Sequence, residues 1–217
     1  MQYFAHEFRI SSFDPDSWLL ILMRIGVVSD THGYFDPRLL PLLRGVDEIF
    51  HAGDVGSEAV LDQLRILAPV EAVRGNVDSV ALGLPPDITR SRGGVQIHML
   101  HELPKPQSAI RDWAQAGPLE GKAADHCRRF LQSLPEKCQV VIFGHSHEPC
   151  ALILGSKLFF NPGSAGKKRF SLPRCCGMLE ISAQGVHATF LGLERYNEDL
   201  PEGVHLPIGG AKACGNC

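Results

Sequence analysis

Residues 143–150, FGHSHEPC, place two histidines either side of one serine, directly after the apolar run VVIF. In an extended segment residues i and i+2 point to the same side, so His145 and His147 converge on a common point. An isolated H-x-H step is a weak signal, since surface or satisfied histidines are commoner than metal ligands. The rest of the chain decides between these. RIGVVS (24–29) stops at Asp30-Thr31-His32, EIFHAG (48–53) at Asp54, VEAVRG (70–75) at Asn76 and VQIHML (95–100) at His101. With QVVIFG (139–144), five apolar runs each end at an oxygen or imidazole donor.

The donors are Asp30, His32, Asp54, Asn76, His101, His145 and His147. Carboxylate and amide oxygens mixed with imidazole, and no thiolate, suit divalent Mn, Fe or Zn rather than a structural cysteine-type zinc site. Seven ligands are too many for one tetrahedral ion. They are about right for two ions ~3.5–4 Å apart that share one carboxylate. Any single strand-end Asp or Asn is as readily a turn cap; five in agreement make a far more specific pattern.

The elements that must position these groups alternate. Helices are expected around 37–44, from an N-cap at Ser57 through Leu67, around 107–116 and around 122–134. The first half therefore reads β-α-β-α-β, with parallel strands and right-handed crossovers. In such sheets ligands bind beyond the carboxyl ends of the strands, where the seven donors fall. The runs CALILG, KLFFN, GMLEIS and VHATFLGL read as short antiparallel strands. We expect one domain over residues 23–193, an N-terminal extension over 1–22, and a polar, Gly- and Pro-rich tail over 194–217 lying on the surface.

Composition narrows the class. A chain of 217 residues, 44% hydrophobic and 21% charged, is an ordinary globular sequence and not a disordered one. A net charge of -3 without a basic run argues against nucleic-acid polymers as partners. No apolar stretch approaches the ~20 residues that span a membrane. WLLILM (18–23) is short, follows Asp14 and Asp16, and lacks a positive flank. Seven cysteines, all in the second half, read as reduced thiols of a cytoplasmic protein. Cys214 and Cys217 have no second pair at zinc spacing and read as ordinary thiols of a flexible end. Metal storage through that tail is the weaker alternative.

D-x-H (30–32), GD (53–54), GN (75–76), a strand-end His101 and GHSH (144–147), in that order, resemble the calcineurin-like metallophosphoesterase superfamily. SDTHG, HAGD, VRGNVD, FGHSH and NPGS (161–164) look most like its small single-domain prokaryotic phosphodiesterase branch, over roughly residues 24–192. The resemblance implies an α+β fold, an α/β/β/α four-layer sandwich of two mixed sheets flanked by helices. It implies two divalent ions, with Mn preferred and Zn, Fe or Ni as alternatives. One would be held by Asp30, His32 and His147, the other by Asn76, His101 and His145, with Asp54 bridging. Hydrolysis of a small phosphodiester by a metal-bridging hydroxide would follow, with Asp54, Asn76 and His32 acting in catalysis. Arg74 is an expected substrate contact; Asn161 and Ser164 are candidates for contact with the phosphate, for support of the histidine ligands, or for the turn itself. A homodimer fits the branch.

Departures from the branch matter. His101 is followed by Glu102 where the branch has glycine; His98, three residues back, should face the other side of its strand. Val77 stands where many members carry a histidine that assists the leaving group, which favours acidic alcohols and phenols. Asp78 is expected to orient the loop. His51 reads as structural, and His6, His126, His187 and His205 as solvated. Lys167, Lys168 and Arg169 read as a solvated loop able to steer an anion. The rival is a non-catalytic protein-binding scaffold with the same fold, as in the retromer subunit.

Overall fold

Strand β1 (Ile21–Val28) is flanked by β2 (Glu48–His51) in parallel and by β9 (Cys175–Ser182) in antiparallel register. The computed structural model describes residues 21–104, 108–117, 121–169, 171–194 and 200–208. Residues 1–20 of the expected extension, and Cys214 and Cys217, lie outside them. Helices α1 (Leu39–Leu42) and α2 (Glu58–Arg65) connect β1, β2 and β3 (Val70–Ala72), giving the anticipated parallel β-α-β-α-β unit. Strand β10 (Gly185–Gly192) and β11 (Val204–Pro207) complete this sheet in the order β11-β10-β9-β1-β2-β3.

The second sheet runs β4 (Asp87–Arg92), β5 (Val95–Leu100), β6 (Cys138–Ile142), β8 (Lys157–Asn161) and β7 (Cys150–Leu154). Here β5, β6 and β8 are parallel neighbours, so this sheet is mixed rather than antiparallel. Helices α3 (Ser108–Ala116) and α4 (Gly121–Ser133) link β5 to β6.

Three apolar layers hold four structural ones. Ile25, Val27, Phe50, Ile97, Ile142 and Phe160 fill the space between the sheets. Leu39, Leu43, Ile49, Val60, Leu61 and Leu64 seal α1 and α2 on the first sheet. Ile110, Cys127, Val141, Phe143 and Phe159 do the same for α3 and α4 on the second. Adjacent residues such as Ile49 and Phe50 go to opposite layers. A strand covered on both faces must be apolar at every position, hence the unbroken runs in the sequence. The expected α/β/β/α sandwich is the fold observed.

Two strands depart from the sequence reading. Asp87–Arg92, DITRSR, is a polar edge strand, and Val204–Pro207 lies inside the segment taken for a surface tail. The latter pairs with β10 and buries Leu206, so the sheet extends past Leu193. The edge strand β4 has its own reason to be polar. Arg90 makes two bonds to Glu71 (2.7 and 3.0 Å) and Arg92 two to Glu48 (2.5 and 2.8 Å), closing one sheet against the other. No helix among the described residues is long and apolar enough to cross a membrane.

Glu48 is buried, so removing its partner strands a carboxylate in the interior. Arg92→Leu is expected to cost about 2–3 kcal/mol in urea unfolding, and adding Glu48→Leu should restore most of it. Metal affinity should be unchanged in both variants, because Glu48 opens β2 at the end opposite the strand-end donors.

Candidate metal centre

Every donor singled out in the sequence sits just beyond a strand, and the loops that carry them interlock. Asp30 N–H donates to the Gly53 carbonyl (3.0 Å), His32 N–H to that of Asp54 (2.8 Å) and Gly33 N–H to that of Val55 (2.8 Å). Gly144 N–H donates to the His101 carbonyl (2.9 Å), and Ala165 N–H to that of Ser29 (3.0 Å). These bonds pull the chain into a conformation that L-residues avoid. Among the described residues, the non-glycine positions with positive φ are Asp30, His32, Asp54, His145 and His147, all at 49–68°. Left-handed backbone clustered on five ligand candidates is a mark of a functional site. Gly75 and Gly144 serve a different need: a Cβ on either would strike Asp54 or Ser29 and Asp30.

The side chains converge as expected. His32 Nε2 lies 3.1 Å from His147 Nε2, and His147 Nε2 lies 3.3 Å from Asp30 Oδ1. Asn76 Oδ1 lies 3.0 Å from His101 Nε2 and 2.9 Å from His145 Nδ1. Asp54 Oδ2 stands between the two groups, 3.8 Å from His32 Nε2 and 3.4 Å from His101 Nε2. Candidate ligand atoms of Asp30, His32 and His147 lie within 4.8 Å of one another, as do those of Asp30, Asp54 and His101.

A cation fits this arrangement. Asp30 is fully buried; its Oδ2 accepts from Ser29 Oγ (2.6 Å) and His145 N–H (3.1 Å), while Oδ1 has no hydrogen-bond partner. A buried carboxylate oxygen without a donor, facing imidazole nitrogens, is costly unless a positive ion completes it. His101 is oriented to bind such an ion, because its Nδ1 donates to the Ala52 carbonyl (2.8 Å) and so turns the Nε2 lone pair into the site. Glu102 Oε1, 3.5 Å from His145 Nε2, supports the second imidazole from outside.

The charges reinforce one another. Burial alone would raise the Asp54 carboxyl, but hydrogen bonds from His101 and Val77 N–H, with the His101 and His32 charges, bring it down to about 2. Burial opposes charge on His101 too; Asp54, Asp30 and the Ala52 carbonyl overcome it and raise that ring. Burial and the nearby Arg169 lower His32.

A family model for the calcineurin-like phosphoesterase superfamily domain matches residues 23–184. A probable metallophosphoesterase of Methanocaldococcus jannaschii is 32% identical over 158 residues, covering 70% of this chain and 71% of that one. Another, from Methanothermobacter thermautotrophicus, is 33% identical over 156 residues, covering 70% and 82%. The chain belongs to the calcineurin-like phosphoesterase superfamily. Solved structures agree on the fold. The phosphoesterase YfcE of E. coli superposes with a TM-score of 0.58 at 23% identity, covering 85% of this chain and all of that one (100%). Vps29 of Entamoeba histolytica, complexed with Zn²⁺, does so at 0.63 and 22%, covering 85% and 99%.

Within this family site the supporting residues take definite places. Asp78 accepts Val55 N–H (3.1 Å), Gly56 N–H (2.7 Å) and Gly75 N–H (2.8 Å), which is the orienting role expected of it. Of the roles open to Asn161 and Ser164, the structure shows support of the ligand loops rather than substrate contact. Asn161 is 0% exposed and spends its amide on the Gly144 carbonyl, Ser146 Oγ and Gly163 N–H. Ser164, 5% exposed, donates to the Asp30 carbonyl (3.0 Å). Both brace the ligand loops from below. Arg74 does reach open space: it lines a cavity with Asn76, His98 and His101.

His51 is structural, its Nε2 2.9 Å from Thr31 Oγ1, which itself donates to the Val55 carbonyl. His187, expected to be solvated, is half-buried and faces His205 across β10 and β11. Lys168 pairs with Glu194 (3.0 Å) and Lys167 lies 5.8 Å from the Tyr34 ring centre, so part of the basic cluster is engaged. Sequence reasoning missed Glu102 and the buried Asp36–Arg174 pair behind the site. Only the break with glycine after His101 signalled the first.

Burial pushes the His51 ring down to about 4, against the pull of Asp30, Asp78 and Asp54. Unfolded, that ring titrates near 6.5, so the unfolded chain binds more protons between the two values. Stability should therefore fall as pH drops from 6.5 toward 4. The His51 share is about 3 kcal/mol. Urea titrations of metal-free wild type and His51→Gln across this range should differ by that amount.

Proposed function

We propose that the protein is a metal-dependent phosphodiesterase that hydrolyses a small phosphodiester over two divalent ions. The unpartnered Asp30 oxygen, buried among imidazole nitrogens from three loops, is the observation that carries this reading. Asp30, His32 and His147 would hold one ion, and Asn76, His101 and His145 the other. Asp54, placed between the groups, would be shared. When bound, divalent ions supply Lewis acidity toward phosphoryl oxygens and an acidified water at neutral pH. Mn²⁺ suits this mixed set of oxygen and imidazole donors, and Zn²⁺, Fe²⁺ and Ni²⁺ suit the same ligands.

The protein's own part is positional. Hydrogen bonds from Ser29 and from His145 N–H fix Asp30, and the Ala52 carbonyl fixes His101. Val77, 57% exposed after Asn76, brings no transferable proton to the leaving oxygen. Leaving groups stable as anions are therefore favoured, and the rate should fall steeply as the alcohol becomes less acidic.

The test uses metal-stripped protein and bis(p-nitrophenyl) phosphate. Turnover should appear on adding Mn²⁺ and drop by more than about a hundredfold in Asp54→Ala. Folded protein that stays inactive with Mn²⁺, Zn²⁺, Ni²⁺ and Fe²⁺ would overturn the enzyme and leave the scaffold reading.

A further inference from the structure

Two loops meet at the open end of the second sheet. Gly144 N–H donates to the His101 carbonyl (2.9 Å), which sets the residues that follow, His145 and Glu102, beside each other. Glu102 Oε1 lies 3.5 Å from His145 Nε2, within ion-pair reach. The other nitrogen of that ring, Nδ1, lies 2.9 Å from Asn76 Oδ1. One imidazole thus turns one nitrogen to a carboxylate and the other to a candidate metal ligand.

Of the four imidazoles at the centre, His145 has the least help from packing. Its side chain is 29% exposed, against 18% for His32, 10% for His147 and 4% for His101. His101 is anchored as well by the Ala52 carbonyl. A ring as open as His145 takes its orientation and tautomer from polar partners. Charge sharpens the need. The Asp30, His32 and His147 group owns a carboxylate, whereas Asn76, His101 and His145 are neutral donors that only share Asp54. A dication held by the second group meets less negative charge.

We propose that Glu102 is a positioning residue that completes the second group as a metal site by acting through His145. The inference rests on the two-ion reading above. With the Nε2 hydrogen facing the carboxylate, the Nδ1 lone pair faces the ion. The carboxylate also makes the imidazole a more basic donor and sets a negative charge behind it. Strand β5 therefore supplies two parts of the site in succession, the ligand His101 and the support for its neighbour.

The test is stepwise addition of Mn²⁺ to the metal-stripped full chain, followed by calorimetry. Wild type should bind two ions. Glu102→Gln, which keeps the size and removes the charge, should weaken one of them about tenfold and leave the other unchanged. The urea midpoint of the metal-free variant should match wild type. Histidine ¹⁵N NMR of the Zn²⁺-loaded chain should show His145 with metal on Nδ1 and hydrogen on Nε2, and the Nε2 shift should move in Glu102→Gln.

Unchanged affinity for both ions, or an Nε2 shift indifferent to Glu102→Gln, overturns the positioning role and leaves the two-ion centre intact. Equal loss at both ions with a lowered urea midpoint makes Glu102 merely structural and overturns it too. One ion or none per wild-type chain overturns the two-ion reading, and this inference with it.

Discussion

Left-handed backbone at the ends of the strands is the constraint on which this molecule depends. Asp30, His32, Asp54, His145 and His147 all adopt it, and none is glycine. At about 1 kcal/mol each, the strain approaches roughly 5 kcal/mol, a sizeable part of a small domain's net stability. It persists because the loops bond to one another rather than to water: His32 N–H to Asp54, Gly144 N–H to His101, Ala165 N–H to Ser29. The two sheets act as a frame stiff enough to hold those loops in place. In return, donors that would otherwise splay outward from three strands turn toward those of the other two.

The sandwich divides labour along its strands. At one end, polar side chains meet across the sheets as closed ion pairs, Arg92 with Glu48 and Arg90 with Glu71. At the other, the polar atoms are left incomplete, with Asp30 Oδ1 the extreme case. The central layer between them is apolar throughout and indifferent to what either end does. The same frame recurs in the solved structures of a phosphoesterase and of Vps29.

The sequence made the ligands legible because each directly follows an apolar run, so strand end and donor are read together. The layers were legible for the same reason, since strands covered on both faces must be continuously apolar. DITRSR was not, because an edge strand need not be apolar, and its arginines answer to glutamates 19 and 44 residues away. VHLP was lost in polar surroundings that resemble a tail. For Asn161 and Ser164 the motif located the loop but not the direction of its side chains. That direction is set by Asp30 and Gly144, which no local pattern reveals. His187 and His205 looked solitary for a related reason: their pairing exists only once β11 has docked.

The hydrogen bond from Ser164 to the Asp30 carbonyl joins residues 134 positions apart in the chain. Such a contact forms only after most of the intervening polypeptide has found its place, because closing so large a loop costs entropy that local contacts do not repay. The five donor-bearing loops thus become a cavity of fixed shape late in folding, when both sheets have met. A chain still emerging from the ribosome has Asp30, His32 and Asp54 early but lacks the bracing that aligns them. Tight metal capture is thereby reserved for the finished molecule, and a bound ion reports that folding is complete.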